Sequence, residues 1–144
     1  MPHRRLHQII AGQDLVCVAP TDTVKDTVAR MQGNHVGSAL VLENDQVVGI
    51  FTGSNMLNRV IKAGLDPNTT VIRDVMTPDP VCLDCDAYGI DCIRHMREQN
   101  IRHIVVRKDA DSGFGIVSVR DFPDEEICEY DEEFKFEETL WEEM

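Results

Sequence analysis

The chain repeats itself. Displacing the sequence by 65 residues lays Val16-Cys17-Val18 on Val81-Cys82-Leu83, Asp26 on Asp91, Met31 on Met96 and Val41 on Val106. One extra residue in the second copy's turn carries the match on at an offset of 66, with Gly49-Ile50-Phe51-Thr52 over Gly115-Ile116-Val117-Ser118. An internal duplication constrains the fold more than composition does, because every element assigned in one copy must recur in the other. The repeating unit is about 50 residues long, and a unit of that size buries too little apolar surface to stand alone.

Each copy reads β-α-β-β-α. The first strands fall at 15–18 and 81–83, followed by helix-start signals at Thr21-Asp22 and Asp86. Val24, Val28 and Met31 in one helix, and Ile90, Ile93 and Met96 in the other, recur at three- and four-residue steps and form an apolar stripe. Gly33-Asn34 and Gln99-Asn100 end these helices. Branched apolar runs at 38–42 and 104–106 lead through polar turns, 43–46 and 108–113, into third strands at 47–51 and 114–117, so each pair reads as a hairpin. A closing helix spans 54–63 with Met56, Leu57, Val60 and Ile61 apolar, whereas Pro123 cuts its counterpart short. The expected fold class is α+β, two β-α-β-β-α repeats packed sheet to sheet in a pseudo-twofold pair. The expected boundaries are 9–63 for the first repeat, 64–80 for a linker, 81–122 for the second repeat and 123–144 for a tail.

Charge is distributed unevenly. The chain carries 14 Lys and Arg against 26 Asp and Glu, a net −12, which weighs against nucleic acid or an anionic membrane as the main partner. Residues 124–144 hold eleven of the acids and a single base, Lys135, so the preceding body is close to balanced and local basic spots in it remain able to attract an anion. The tail also holds Tyr130, Phe134, Phe136 and Trp141, more aromatic surface than a solvating acidic segment needs. Ile127, Tyr130, Phe134 and Trp141 share a face at helical spacing, yet Phe134-Lys135-Phe136-Glu137 alternates as a strand does, and both conformations stay open. The segment reads as a frayed terminus or as one docked on the body or a dimer mate, and capture of a separate partner ranks behind both. No apolar run reaches the roughly 18 to 20 residues that span a bilayer, and Met1-Pro-His-Arg-Arg-Leu-His lacks an apolar signal core, so a cytoplasmic location is expected. Five cysteines, an odd number, fit reduced thiols better than a disulfide framework.

The segment Gly115-Ile116-Val117-Ser118-Val119-Arg120-Asp121 lies where a strand turns into a helix. A helix start favours a phosphate through its unpaired N–H groups, the Ser118 hydroxyl adds a hydrogen bond, and Asp121 can accept from both hydroxyls of a ribose. Ser-x-x-Asp at a helix start is also close to a capping box, which needs no ligand, and spacing alone favours the cap.

Three features together resemble the tandem cystathionine-β-synthase (CBS) domain pair, or Bateman module, over about residues 9–122. They are Asp74-Val75-Met76-Thr77-Pro78-Asp79-Pro80-Val81 ahead of the second copy, Gly-x-x-Thr/Ser ending each third strand, and the doubled β-α-β-β-α order. The resemblance implies binding of adenosine-containing ligands (AMP, ADP or ATP, with S-adenosylmethionine a further candidate) in clefts between the repeats, assembly as a homodimer, and a regulatory role toward a target protein. It assigns the ribose diol to Asp121 and the phosphate side to Ser118 and the basic pair Arg102-His103, which stands in the reverse of the order some members have and reads otherwise as a solvated rim pair; Arg120, inside the motif, is a further phosphate candidate or a surface charge. Adjacent strand residues point to opposite faces, so one of the two is expected toward the ligand. The other wall is assigned to the segment near residues 11–16 and to Val36-Gly37-Ser38, with backbone amides reading the adenine edge and Val16 and Val36 sandwiching the base. Ordinary core is the competing reading of both valines. The first copy departs from the pattern with Asn55 where the acid is expected, so Thr52, Asn55 and Val81 outline a second, weaker or empty site.

Cys82-Leu83-Asp84-Cys85 has no second Cys-x-x-Cys pair to complete a four-ligand zinc site, and His3 and His7, four residues apart, read as a polar terminal segment; no metal site is expected. No nucleophile with an activating base and no Gly-x-x-x-x-Gly-Lys loop occurs, so neither catalysis nor a required cofactor is expected. The expected function is that of an adenine-nucleotide-binding regulatory sensor. The alternative is a ligand-free interaction scaffold working through the acidic tail and dimer surface, and a redox protein using Cys82 and Cys85 is remote.

Overall fold

The computed structural model describes residues 3–109 and 113–143. In chain order the elements are α1 (Leu6–Ile9), β1 (Cys17–Val18), α2 (Val24–Gly33), β2 (Ser38–Glu43), β3 (Gln46–Thr52), α3 (Gly53–Asn55) running on into a π-helical turn (Met56–Ile61), a 3-10 turn (Ile72–Asp74), β4 (Thr77–Pro78), β5 (Cys82–Asp84), α4 (Gly89–Gln99), β6 (His103–Arg107), β7 (Phe114–Ser118), a second 3-10 turn (Val119–Asp121) and α5 (Asp124–Glu143). They fall into two compact units, a first-repeat unit of Gly12–Val81 and a second-repeat unit that joins Met1–Ala11 to Cys82–Met144.

In the first-repeat unit the sheet order is β1-β2-β3-β4. β1 runs parallel to β2, and β2 pairs antiparallel with β3. Asn44 and Asp45 both take positive φ, 52° and 61°, the two-residue turn whose twist matches that of the flanking strands. α2 begins at Thr23, whose hydroxyl accepts from the Asp26 N–H at 3.2 Å; the start signal at Asp22 instead closes a turn by accepting from the Ala19 N–H at 2.9 Å. Val16, Val18, Val24, Met31, Ala39, Val41, Phe51, Val60, Ile72 and Val75 form the core. Residues 70–78, in the stretch read as a linker, belong to this unit: the Val24 N–H donates to Thr70 O at 2.9 Å, and β4 pairs with β3 through Gly49–Pro78 and Ile50–Thr77.

The second-repeat unit has sheet order β5-β6-β7, with β5 parallel and β7 antiparallel to β6. The turn expected at 108–113 lies partly outside the described residues; the Lys108 N–H donates to Gly113 O at 2.9 Å across it. α4 starts at Tyr88 rather than at Asp86, the Asp91 carboxylate accepting from the Tyr88 N–H at 3.2 Å, and ends on Asn100 in the left-handed region, φ 53°. Ile90, Cys92, Ile93 and Met96 are its buried face.

The tail is helical. Pro123 ends the short turn before it, and the Pro123 carbonyl accepts from the Ile127 N–H at 3.1 Å, so α5 starts where a missing backbone donor costs nothing. Tyr130 is 1% exposed, edge-on to the Phe122 ring, and α5 lies along α4 of its own unit. Arg97 pairs with Asp131, Arg94 with Glu137, and both guanidinium groups sit over the Phe134 ring at 5.6 and 5.3 Å.

Candidate functional site

At one end of the second-repeat sheet, β7 runs out into the turn Val119–Asp121. The Ser118 hydroxyl accepts from the Arg120 N–H at 3.1 Å, and Asp121 Oδ2 accepts from the Ser118 N–H at 2.8 Å. The capping box is therefore formed, on a 3-10 turn of three residues rather than on the longer helix that a dipole argument requires. The cap does not exhaust either group. A hydroxyl that accepts still has a proton to give, and a carboxylate has acceptor positions beyond the one Ser118 uses. Both residues sit at the unit's surface, Asp121 exposed and Ser118 half-buried.

Beside this turn β6 begins. His103 is the register partner of Ser118, and the Val119 N–H donates to Arg102 O at 3.0 Å, which ties the turn to the start of the strand. His103 is half-buried while Arg102 and Arg120 are exposed, so of the basic pair the histidine turns inward. Burial pushes the His103 pKa down, Asp121 opposes that, and the charges of Arg120 and Arg102 add to it, leaving the imidazole below its ordinary value and neutral at pH 7. Ser118, Asp121, Arg102, His103 and Arg120 thus share one sheet end. It offers a carboxylate for a diol, and a hydroxyl and two solvent-facing guanidinium groups for an anion.

The first-repeat residues are placed differently. Val16 is 1% exposed and lies in the core, so its side chain does not form an open wall for a base; shape and apolarity sent it inward. Val36 is half-buried against the same core. Gly37 is exposed, its carbonyl accepts from the Gly53 N–H at 3.2 Å, and a Cβ there would meet no atom, which leaves its backbone approachable. Ser38 is half-buried opposite Thr52. Asn55, 7% exposed, is held from both ends of its amide: Oδ1 accepts from the Thr52 N–H at 3.0 Å and from its hydroxyl at 3.2 Å, and Nδ2 donates to Thr77 Oγ1 at 3.2 Å. Val81 is half-buried at the end of this unit.

The thiols, His3 and His7 are not part of this group. The Cys85 thiol donates to Asp109 Oδ1 at 3.6 Å with Asp86 alongside, while Cys82 is not part of that group. Cys92 is fully buried, and burial followed by the charges of Asp121 and Asp91 pushes its pKa up to about 12, which makes it an inert thiol. His3 pairs with Glu133 at 3.0 Å and leans on the Tyr130 ring, and His7 is exposed.

Arg4 was not legible as a neighbour of the site. It donates through Nη2 to Asp121 O at 3.1 Å and forks onto Glu126 at 3.2 and 2.6 Å, tying the terminal segment to both the turn and α5. Leu6, fully buried, donates from its N–H to Ala87 O at 2.8 Å, and the Gly89 N–H donates to Arg4 O at 2.8 Å. The apolar spacing of Leu6, Ile9 and Ile10 was the available signal for a docked segment.

The CBS domain family model matches residues 8–62 and 72–123, which is most of the chain and both copies of the repeat. The chain belongs to the CBS-domain family. The CBS pair is 26% identical over 136 residues to Uncharacterized protein MK0525 of Methanopyrus kandleri, covering 91% of this chain and 69% of that protein. It is 30% identical over 102 residues to CBS domain-containing protein CBSCBSPB3 of Arabidopsis thaliana, covering 70% of this chain but only 18% of that much longer protein. Among solved structures, CBS domain protein PAE2072 of Pyrobaculum aerophilum, complexed with AMP, superposes with a TM-score of 0.74 at 22% identity over 88% of this chain and 98% of that one, a likeness of fold.

Proposed function

We propose that the CBS pair is a regulatory module that binds an adenine nucleotide, with Asp121 on the ribose and Ser118, Arg102, Arg120 and His103 toward the phosphates. The observation that carries this reading is the grouping of a diol acceptor, Asp121, with two exposed guanidinium groups at one sheet end. The AMP named with the PAE2072 structure supports the ligand class. The family resemblance gives the base to Val36, Gly37 and Ser38 of the first-repeat unit, and the open backbone at Gly37 suits close approach. The internal hydrogen bonds of Asn55 favour a weak or empty second site at Thr52, Asn55 and Val81.

Titration calorimetry with AMP, ADP, ATP and S-adenosylmethionine tests the reading. At least one ligand is expected to bind tighter than about 1 mM, or −4.1 kcal/mol. Asp121→Ala should weaken it by about 1.5 to 3 kcal/mol, the scale of hydrogen bonds to a charged group. Asp121→Asn keeps an acceptor for the Ser118 N–H but removes the charge, so it should lose affinity while keeping the melting temperature. Silence with all four ligands, or full affinity in both variants, would overturn the assignment.

A further inference from the structure

Helix α5 carries a second apolar surface that its own unit leaves uncovered. Phe136 is 65% exposed, Leu140 45% and Trp141 76%, three large apolar side chains within six residues of one helix. Phe136 and Leu140, one turn apart, line an open groove of about 610 Å³ whose remaining lining includes Glu129, Glu132, Glu133 and Glu137. We propose that this groove docks a basic amphipathic helix of a partner protein, its apolar stripe seated on Phe136 and Leu140 and its Lys and Arg residues reaching the flanking glutamates. None of these residues belongs to the nucleotide reading, and the two proposals stand or fall separately.

Charge complementarity selects the occupant. Two of the glutamates already have a partner in their own unit, Glu133 the His3 ring at 3.0 Å and Glu137 the Arg94 guanidinium at 3.2 Å, while Glu129 and Glu132 form no ion pair among the described residues. A second copy laid on this face would set one row of glutamates against another, with eleven acids and one lysine in residues 124–144 of each chain. Anionic lipid and nucleic acid are repelled for the same reason. A basic helix satisfies both halves of the surface at once: it supplies the opposite charge, and its i, i+4 apolar residues match the spacing of Phe136 and Leu140. α5 is 20 residues long, so at 1.5 Å per residue it offers about 30 Å of rail to a partner lying along it.

Trp141 is the only tryptophan in the chain; it follows Leu140 without lining the groove, so its emission reports on a helix that runs on past Leu140 toward the end of α5. The probe is a synthetic 18-residue peptide of leucine and lysine with one continuous leucine stripe. Two controls accompany it: a peptide of identical composition with the stripe scrambled, and the leucine-glutamate counterpart. The striped basic peptide should bind and shift Trp141 emission to the blue, the scrambled one at least tenfold more weakly, the acidic one not at all. Phe136→Ala with Leu140→Ala should weaken binding at least tenfold, and Glu129→Gln with Glu132→Gln several-fold with a flatter salt dependence. All four side chains lie at the helix surface, so circular dichroism of the variants should match the parent. Equal binding of the scrambled peptide, or indifference to both double substitutions, would reduce the effect to diffuse attraction and overturn the proposal. Sedimentation showing self-association that Leu140→Glu abolishes would also overturn it, because the occupant would then be a second copy.

Discussion

His103 faces three charges at once: Asp121 favours its imidazolium, Arg102 and Arg120 oppose it, and burial, the largest effect, opposes it too. Because the folded pKa lies below the unfolded value near 6.5, the unfolded chain binds more protons as pH falls past that point; stability from this group is present above it and is lost as pH drops through the folded value. A bound phosphate reverses the local balance by adding negative charge, which raises the His103 pKa in the complex. Nucleotide binding should therefore take up a proton, and affinity should rise as pH falls below about 6.5 until free and bound forms are both protonated. Calorimetry in two buffers of different ionisation enthalpy measures that uptake. His103→Gln should remove it, leaving only the opposing titration of the nucleotide's own phosphate; an unchanged uptake would remove His103 from the site. At this scale the sequence was informative where partners are close along the chain. Ser118 and Asp121 could be paired by their spacing of three, since a capping box is a local device. Val16 could not be sorted between core and ligand wall, because an apolar strand residue looks the same in both roles. Arg4 was hidden altogether, its partner Glu126 lying 122 residues away.

Gly89, the first residue of α4, packs against Phe122 and the Tyr130 of α5. A Cβ there would stand 2.8 Å from both the Phe122 ring and the Tyr130 hydroxyl, so the glycine sets how near α5 approaches α4. Gly89→Ala should cost about 1 to 3 kcal/mol, the usual toll of overpacking, and should loosen α5. Gly33→Ala in α2 is the control: a Cβ there meets nothing within 4 Å, and the alanine should be neutral or stabilise by up to about 1 kcal/mol. Urea unfolding of the two variants checks the contrast, and equal effects would mean that the contact at Gly89 does not hold α5 in place. The same element shows how far periodicity reaches. Of the four residues that helical spacing puts on one face, Tyr130 is buried and Phe134 lies under Arg94 and Arg97 from α4, but Trp141 stands 76% exposed, and the strand-like alternation at 134–137 is overridden by α5, which runs through it. Pro123 does cut the second copy's closing element short, to the three-residue turn Val119–Asp121, and it also opens α5, where its missing N–H costs nothing; that second role shows only in the onset of α5.

For the molecule as a whole, the division of the chain into two units gives the nucleotide proposal a sharper form. Each unit has its own sheet, and the second-repeat unit is closed by residues 3–11 as well as by α5. A ligand that binds only folded protein stabilises whatever holds it by RT ln(1 + [L]/Kd), about 2.7 kcal/mol at one hundred times Kd. Amide hydrogen exchange assigns that gain to individual elements, because slow amides report the local opening free energy. Saturating nucleotide should raise protection in β6 and β7, where His103 and Ser118 face one another, and Asp121→Ala should abolish the rise. If Gly37 and Ser38 hold the base, β2 and β3 of the first-repeat unit gain protection at the same ligand concentration, and Gly37→Val removes their gain. Protection confined to the second-repeat unit would strike Val36, Gly37 and Ser38 from the site and leave a ribose-phosphate grip alone. A gain in β2 and β3 without one in β6 and β7 would move the site to Thr52 and Asn55, against the hydrogen bonds that now occupy that amide.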